Sequence, residues 1–289
     1  MIDLHTHSTA SDGSTPPAEL LRQAAELGLC AVALTDHDTV AGIPEFLAEA
    51  EKYPQIHAVP GVELSTVFGA RELHIVGLFL DYRNEVLTAY LEEQREKRRS
   101  RNEAIRLKLN SLGYPLSWDD PVFAGVGDAC SIGRPHFARA LMNRYGFPTM
   151  QSVFDKLLKR GCPAYVPREL PDPKQAIDAI HAAGGLAVWA HPVYRERNER
   201  AWAKRVIKRF APLGLDAVEG YYSMFSATET ALMTELAETY GVLLSGGSDF
   251  HGANSTVSLG TGAGKLNIPD ELYDRLSEAR ALREVSTQS

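Results

Sequence analysis

The chain has 289 residues, 44% hydrophobic and 23% charged, which is the balance of a globular protein of one or two domains and excludes a disordered or collagen-like chain. Its 30 Lys and Arg against 37 Asp and Glu leave a net charge of −7, so the whole-molecule field does not draw in nucleic acid, although a local basic patch stays open. Three cysteines, Cys30, Cys130 and Cys162, stand far apart without a C-x-x-C, which argues against a disulfide framework or zinc ribbon. They fit a reducing compartment, and with no membrane span and no signal peptide at MIDLHTHS the expected location is the cytoplasm.

In chain order, IDLHTHS predicts a short opening strand. TPPAELLRQAAELGL predicts a helix with Thr15 as cap, prolines at its start and Gly28 at its end. CAVALTDH is a buried strand, and a second helix runs from Gly42 to Lys52. HAVPGVELS and ELHIVGLFL are strands separated by a turn around Gly69. Residues 84–172 break the alternation. The charged helical run LEEQREKRRSRNEAIRLKLNSLG, ended by Gly113, is followed by helical patterns at PHFARALMNRYG and MQSVFDKLLKRG, with no strand between. Arg95, Lys97, Arg98, Arg99, Arg101, Arg106 and Lys108 lie in that first helix, where interleaved glutamates favour a solvated, paired face.

Alternation then resumes. The helix DPKQAIDAIHAAGG leads to the strand LAVWAHP, a helix near Arg200 to Arg209 to DAVEGYYS, and a helix near Thr228 to Tyr240 to GVLLSGGSDFH. The tail after Glu284 is expected to fray. Strands alternating with helices predict a parallel α/β sheet covered on both faces, and residues suited to chemistry at the ends of so many strands favour a closed barrel over an open sheet. The expected domains are a barrel of residues 1–83 and 173–289 and a helical insertion of residues 84–172.

His5 and His7 lie two apart in a strand and so point to the same side. Of nine histidines, six (His5, His7, His37, His74, His191 and His251) fall in or at the end of predicted strands, beside Asp12, Asp36, Asp38, Glu63 and Asp249. Crowded imidazoles repel when protonated and buried carboxylates need partners, and a cation resolves both. Imidazole with carboxylate suits manganese, zinc or iron, and the number of candidates is enough for two or three ions. Closely spaced ions of this kind serve phosphoryl chemistry. Asp36 or Asp38 is placed to orient a ligand histidine, and Tyr165, Tyr194, Tyr221 and Tyr222 to stack on a base or to fill the core. His57 and His181 read as structural, and SLGTGAGKL, which lacks the first glycine and the Ser or Thr of a phosphate loop, reads as a turn.

The segments DLHTHSTASDGSTPP, VALTDHDTVAGI, PGVELS, ELHIVG, AVWAHP and GGSDFHG together resemble the PHP (polymerase and histidinol phosphatase) metal-dependent phosphoesterases. The resemblance implies a distorted (β/α)7 barrel. His5, His7, Glu63 and Asp249 would hold one ion, Glu63 with His74 and His191 a second, and Asp12, His37 and His251 a third, with manganese expected and zinc or iron as alternatives. SIGRPHFARAL resembles the subgroup acting on nucleotides. There Arg134 offers a planar fork for phosphate, Ser131 and His136 further donors, and the helix N-terminus just after Pro135 its partial positive charge. The resemblance implies removal of the 3′-phosphate from a 3′,5′-nucleotide bisphosphate by a metal-bridging hydroxide, with Asp249, His191 and His251 in catalytic roles. The alternatives are 5′–3′ exoribonuclease action on short RNA and a histidinol-phosphate-type phosphatase. The expected partner is a small nucleotide, with no membrane and no obligate protein partner.

Overall fold

The structure, a computed structural model, describes residues 1–124, 132–194, 199–252 and 255–287. It divides into two compact units, Met1–Leu91 with Pro171–Ser289, and Glu92–Leu170.

The first unit is built on one seven-stranded sheet in sequence order: β1 (Ile2–Asp3), β2 (Ala31–Leu34), β3 (His57–Phe68), β4 (Arg71–Leu78), β5 (Leu186–Trp189), β6 (Ala217–Tyr222) and β7 (Leu243–Gly247). The helices, in chain order, are α1 (Pro17–Glu26), α2 (Ile43–Ala50), α3 (Glu85–Ser111), α4 (Pro121–Ala124), α5 (Arg134–Tyr145), α6 (Met150–Val153), α7 (Pro173–Ala182), α8 (Glu199–Phe210), α9 (Ala227–Tyr240) and α10 (Glu271–Thr287).

Local signals set these boundaries. Pro17 opens α1, and Leu20, Leu21 and Ala24 form its buried stripe. The Asp172 carboxylate accepts from Lys174 N at the start of α7, and Ser226 with Glu229 makes a reciprocal cap on α9. Two apolar layers cover the sheet. Leu64, Ile75, Trp189 and Val218 pack with residues of α7, α8 and α9, while Ile2, Leu4, Val76, Val188 and Ala217 join Leu272 and Leu276 of α10. The helix α10 has no counterpart in the sequence reading, and it runs to Thr287, past the point where fraying was expected.

The expectation of a wholly parallel sheet is corrected at β4, which runs antiparallel to both β3 and β5, while β1–β2–β3 and β5–β6–β7 are parallel. The reason is the length of the link. Phe68 pairs with Arg71 across Gly69 and Ala70 alone, and a parallel partner would need a crossover of a dozen or more residues. The reversal matters for function because it brings the first half of β4, with His74, to the end of the sheet where the parallel strands finish.

The barrel closes between the chain's first and last strands. Leu4 N donates to Gly246 O, Asp249 N to His5 O and His7 N to Phe250 O, and Thr6 bridges to Phe250. A Cβ at Gly247 would stand 2.2 Å from the His5 Cβ, so this seam admits only glycine. Gly247→Ala is expected to lower stability by about 1–3 kcal/mol, the usual cost of forced overpacking, read from urea or thermal unfolding. An unchanged unfolding midpoint would contradict the seam.

The second unit is helical in its described residues. Ile105, Leu109, Phe123, Phe137, Leu141, Val153 and Leu158 form its own core. Most of the basic run on α3 is paired along the helix: Arg95 with Glu92 at 3.7 Å, Lys97 with Glu93 at 2.6 Å, Arg99 with Glu96 at 3.4 Å and Arg106 with Glu103 at 2.6 Å. Arg101 and Lys108 instead donate to the carbonyls of Val166 and Tyr165.

Candidate metal centre

Nine side chains singled out in the sequence meet at one mouth of the barrel. His5 and His7 follow β1, Asp12 lies in the next loop, His37 follows β2, Glu63 is in β3, His74 in β4, His191 follows β5, and Asp249 and His251 follow β7. Glu63 is the hub. Its Oε2 lies 3.4 Å from His5 Nε2, 3.3 Å from His7 Nε2 and 2.8 Å from His37 Nδ1, and its Oε1 lies 2.8 Å from His74 Nδ1 and 3.1 Å from His191 Nε2. Asp249 Oδ1 is 3.2 Å from His7 Nε2 and 3.7 Å from His5 Nε2. Asp12 closes the other side, 3.4 Å from His251 Nε2 and 3.8 Å from His37 Nε2.

The donor set fits divalent ions. His5 Nε2, both ring nitrogens of His7, His37 Nδ1 and Glu63 Oε2 are buried without a hydrogen-bond partner among the described residues, despite these short approaches. Buried polar atoms are seldom left this way, and five of them converging are what a cation satisfies. Among the described residues, three sets of candidate ligand atoms each lie within 4.8 Å of one another: His7, Asp12, His37 and His251; His5, His7 and Glu63; His37, Glu63 and His74. His191 and Asp249 hold positive backbone φ angles of 33° and 59°, conformations of the kind that collect at functional sites.

Electrostatics agree with that fit. Burial opposes ionisation of Glu63, but the charges of His37, His74 and His5 hold it well below the usual carboxylate range. Burial likewise opposes charging His74, yet Glu63 pushes it up to about 10. His251 rises to about 9 against its burial, through its hydrogen bond to Asp12 and the charge of Asp249. His7 is lowered by burial and by the charge of His37. Without metal, His74 and His251 therefore carry protons at neutral pH. The stability from those charged pairs is complete below the unfolded imidazole pKa of about 6.5 and is lost as pH rises through about 9 and 10. A divalent ion must displace the same protons. Manganese affinity is expected to be at least about tenfold tighter at about pH 8 than at about pH 6, with measurable proton release in calorimetry. Affinity independent of pH would contradict this ligand set.

Around the ligands, Asp36 does not orient a histidine as the sequence suggested. It accepts from Ser8 N and Oγ and from Ser11 Oγ, and so fastens the loop that carries Asp12. Asp38 accepts from Ser65 N. His251 Nδ1 donates to the Asp249 carbonyl, leaving Nε2 toward Asp12. Glu219 was missed. This buried carboxylate in β6 contacts both His5 and His191. The signal was present, an ionisable residue inside the apolar run DAVEGYYS, since glutamate is almost never fully buried without a partner.

In the second unit, Arg134 is the first residue of α5, one position earlier than read, and its guanidinium lies 5.9 Å from the ring centres of Phe154 and Tyr165. The His136 side chain caps α5, its Nδ1 accepting from Gly133 N at 3.1 Å. Ser131 lies outside the described residues. His181 is structural, donating to Asp216 at 2.8 Å, and His57 stacks on Tyr273. The segment SLGTGAGKL forms a turn, with Ser258 bridging to Gly262.

A seven-stranded barrel with imidazoles and carboxylates gathered at one mouth defines a metal-dependent phosphoesterase. The chain belongs to the PHP domain family, whose profile matches residues 3–117. It is 38% identical over 270 residues to the 5′-3′ exoribonuclease Rnm of Salmonella typhimurium, covering 93% of this chain and 90% of that protein. It is 34% identical over 250 residues to a 3′,5′-nucleoside bisphosphate phosphatase of Chromobacterium violaceum, covering 86% of this chain and 87% of that protein. A solved Bifidobacterium adolescentis protein, assigned as a metal-dependent phosphoesterase, superposes with a TM-score of 0.80 at 30% identity, over 96% of both chains. Among the described residues no helix is long and apolar enough to cross a membrane.

Proposed function

We propose that the chain removes the 3′-phosphate of 3′,5′-nucleotide bisphosphates such as adenosine 3′,5′-bisphosphate, giving the 5′-monophosphate and phosphate, in the cytoplasm. The observation that carries this reading is the convergence on Glu63, because five imidazoles around one carboxylate make a centre for more than one ion. His5, His7, Glu63 and Asp249 would hold one ion, Glu63, His74 and His191 a second, and Asp12, His37 and His251 a third, with manganese preferred over zinc or iron. Such ions polarise the phosphoryl oxygens and bring the pKa of water toward neutrality. The chain's own residues do the rest. Asp249 and Glu63 would fix the donor geometry, and His191, His251 or a water at the site would hand a proton to the departing sugar oxygen.

Arg134 takes the second phosphate, with Ser131 and His136 as further donors. Positive charge is concentrated there, since burial and the like charges of Arg134, Arg168 and Arg98 push Arg101 down to about 10. A phosphate dianion relieves that repulsion.

A second reading, 5′–3′ exoribonuclease action on short RNA, is favoured by the Salmonella relative of that name. The pairing of most α3 bases with glutamates weighs against an extended RNA track. The deciding experiment measures phosphate release from mono- and bisphosphorylated nucleotides and histidinol phosphate, and nucleotide release from a 5′-phosphorylated oligoribonucleotide, with manganese and with zinc. Phosphate release confined to bisphosphates supports the proposal. Faster processing of the oligoribonucleotide overturns it in favour of the second reading.

A further inference from the structure

Every strand of the barrel except β6 brings a proposed ligand to the mouth. We infer that β6 is instead the positioning strand of the metal centre, with Glu219 and Tyr222 setting the aim of His5, His191 and Asp249. The inference rests on the metal-centre reading above and extends it to residues that touch no ion.

Glu219 is 2% exposed, and both of its oxygens are engaged. Oε1 lies 2.7 Å from His5 Nδ1, and Oε2 accepts from the His191 backbone N–H at 2.5 Å. A carboxylate only accepts, so His5 must carry its proton on Nδ1. That leaves the Nε2 lone pair facing Glu63 and Asp249, at 3.4 and 3.7 Å. The other oxygen holds the backbone of His191 in its unusual conformation, with φ at 33°. One carboxylate thus fixes the ring tautomer of one ligand and the main chain of another. Tyr222 acts on a third, its Oη donating to Asp249 Oδ2 at 3.0 Å.

Residues three apart on a regular strand point to opposite faces. The strand solves this with a bulge. Glu219 pairs with Ser245 and Tyr221 with Gly246, so Gly220 is an extra residue, and Glu219 and Tyr222 come to the same mouth.

The test uses Glu219→Gln, which keeps size and removes one acceptor. An amide must turn its NH2 toward either His5 Nδ1 or the His191 N–H. The first choice moves the His5 proton to Nε2, where the ion should bind, and the second sets donor against donor. Manganese titration of the full chain by calorimetry, with bound metal counted by elemental analysis, is expected to show about 10- to 100-fold weaker binding. In zinc-loaded protein, 15N spectra of His5 are expected to show an Nδ1–H imidazole in the parent and loss of that signature in the variant. Tyr222→Phe is expected to weaken binding by a smaller factor while leaving the His5 signature intact. Asp216→Asn is the structural control. It disturbs a partly buried carboxylate just before β6 that accepts from His181 and Ala187 N and pairs with Arg283. It should lower the melting temperature and leave manganese affinity unchanged. Parent-like affinity and an intact His5 signature in Glu219→Gln would overturn the inference. A parent chain that takes up no manganese would overturn the metal-centre reading itself.

Discussion

Glu63→Gln is expected to cut turnover by at least about a thousandfold, equal to ~4 kcal/mol of transition-state stabilisation, and to strip bound metal with it. The substitution keeps the side chain's shape and removes only its charge. In the native chain that charge faces His5, His7, His37, His74 and His191 within 3.4 Å, and it is itself fully buried. A neutral amide would not balance the charge of the ions, and its NH2 would donate to imidazole lone pairs that the ions would need. Metal content and phosphate release are measured on the same folded sample. A variant that keeps both would remove Glu63 from the centre of the site.

Arg134→Ala tests specificity rather than chemistry. A charge-assisted contact to phosphate contributes about 1.5–3 kcal/mol, so kcat/KM for adenosine 3′,5′-bisphosphate should fall by about 10- to 100-fold. Hydrolysis of a simple aryl phosphate, which has no second phosphate to lose, should stay unchanged. Arg134→Lys should restore only part of the loss, because an ammonium cannot make the two-pronged contact of a guanidinium. Equal losses on both substrates would refute the role.

The strand-and-helix alternation was legible in the sequence because each element carries its own local signals, such as Pro17 opening α1 and Gly28 just after its end. Of the nine metal-ligand candidates, four stand out as H-x-H at the start and D-x-H after the last strand, and the other five were legible from their places in or beside predicted strands and from the family resemblance. What escaped depends on geometry between distant segments. The direction of β4 follows from a two-residue link that composition alone does not weigh against the parallel pattern around it. The proposed role of Glu219 follows from a carboxylate 214 positions along the chain folding back onto His5, and the β6 bulge that aims it leaves only a single glycine in the sequence. Asp36 looked like an orienting partner because it flanks His37, but its carboxylate is taken up by Ser8 and Ser11, which lie some 25 residues earlier in the chain.

The seam between His5 and Gly247 has a consequence for how the protein comes to hold its ions. The first imidazole to leave the ribosome waits for a backbone made some 240 residues later, and Asp249 and His251 arrive with that same strand. A nascent or truncated chain would therefore hold most of the proposed ligands without the finished cage. On the metal-centre reading, loading would follow the synthesis of β7, and the divalent ions then free in the cell would decide which element is taken up.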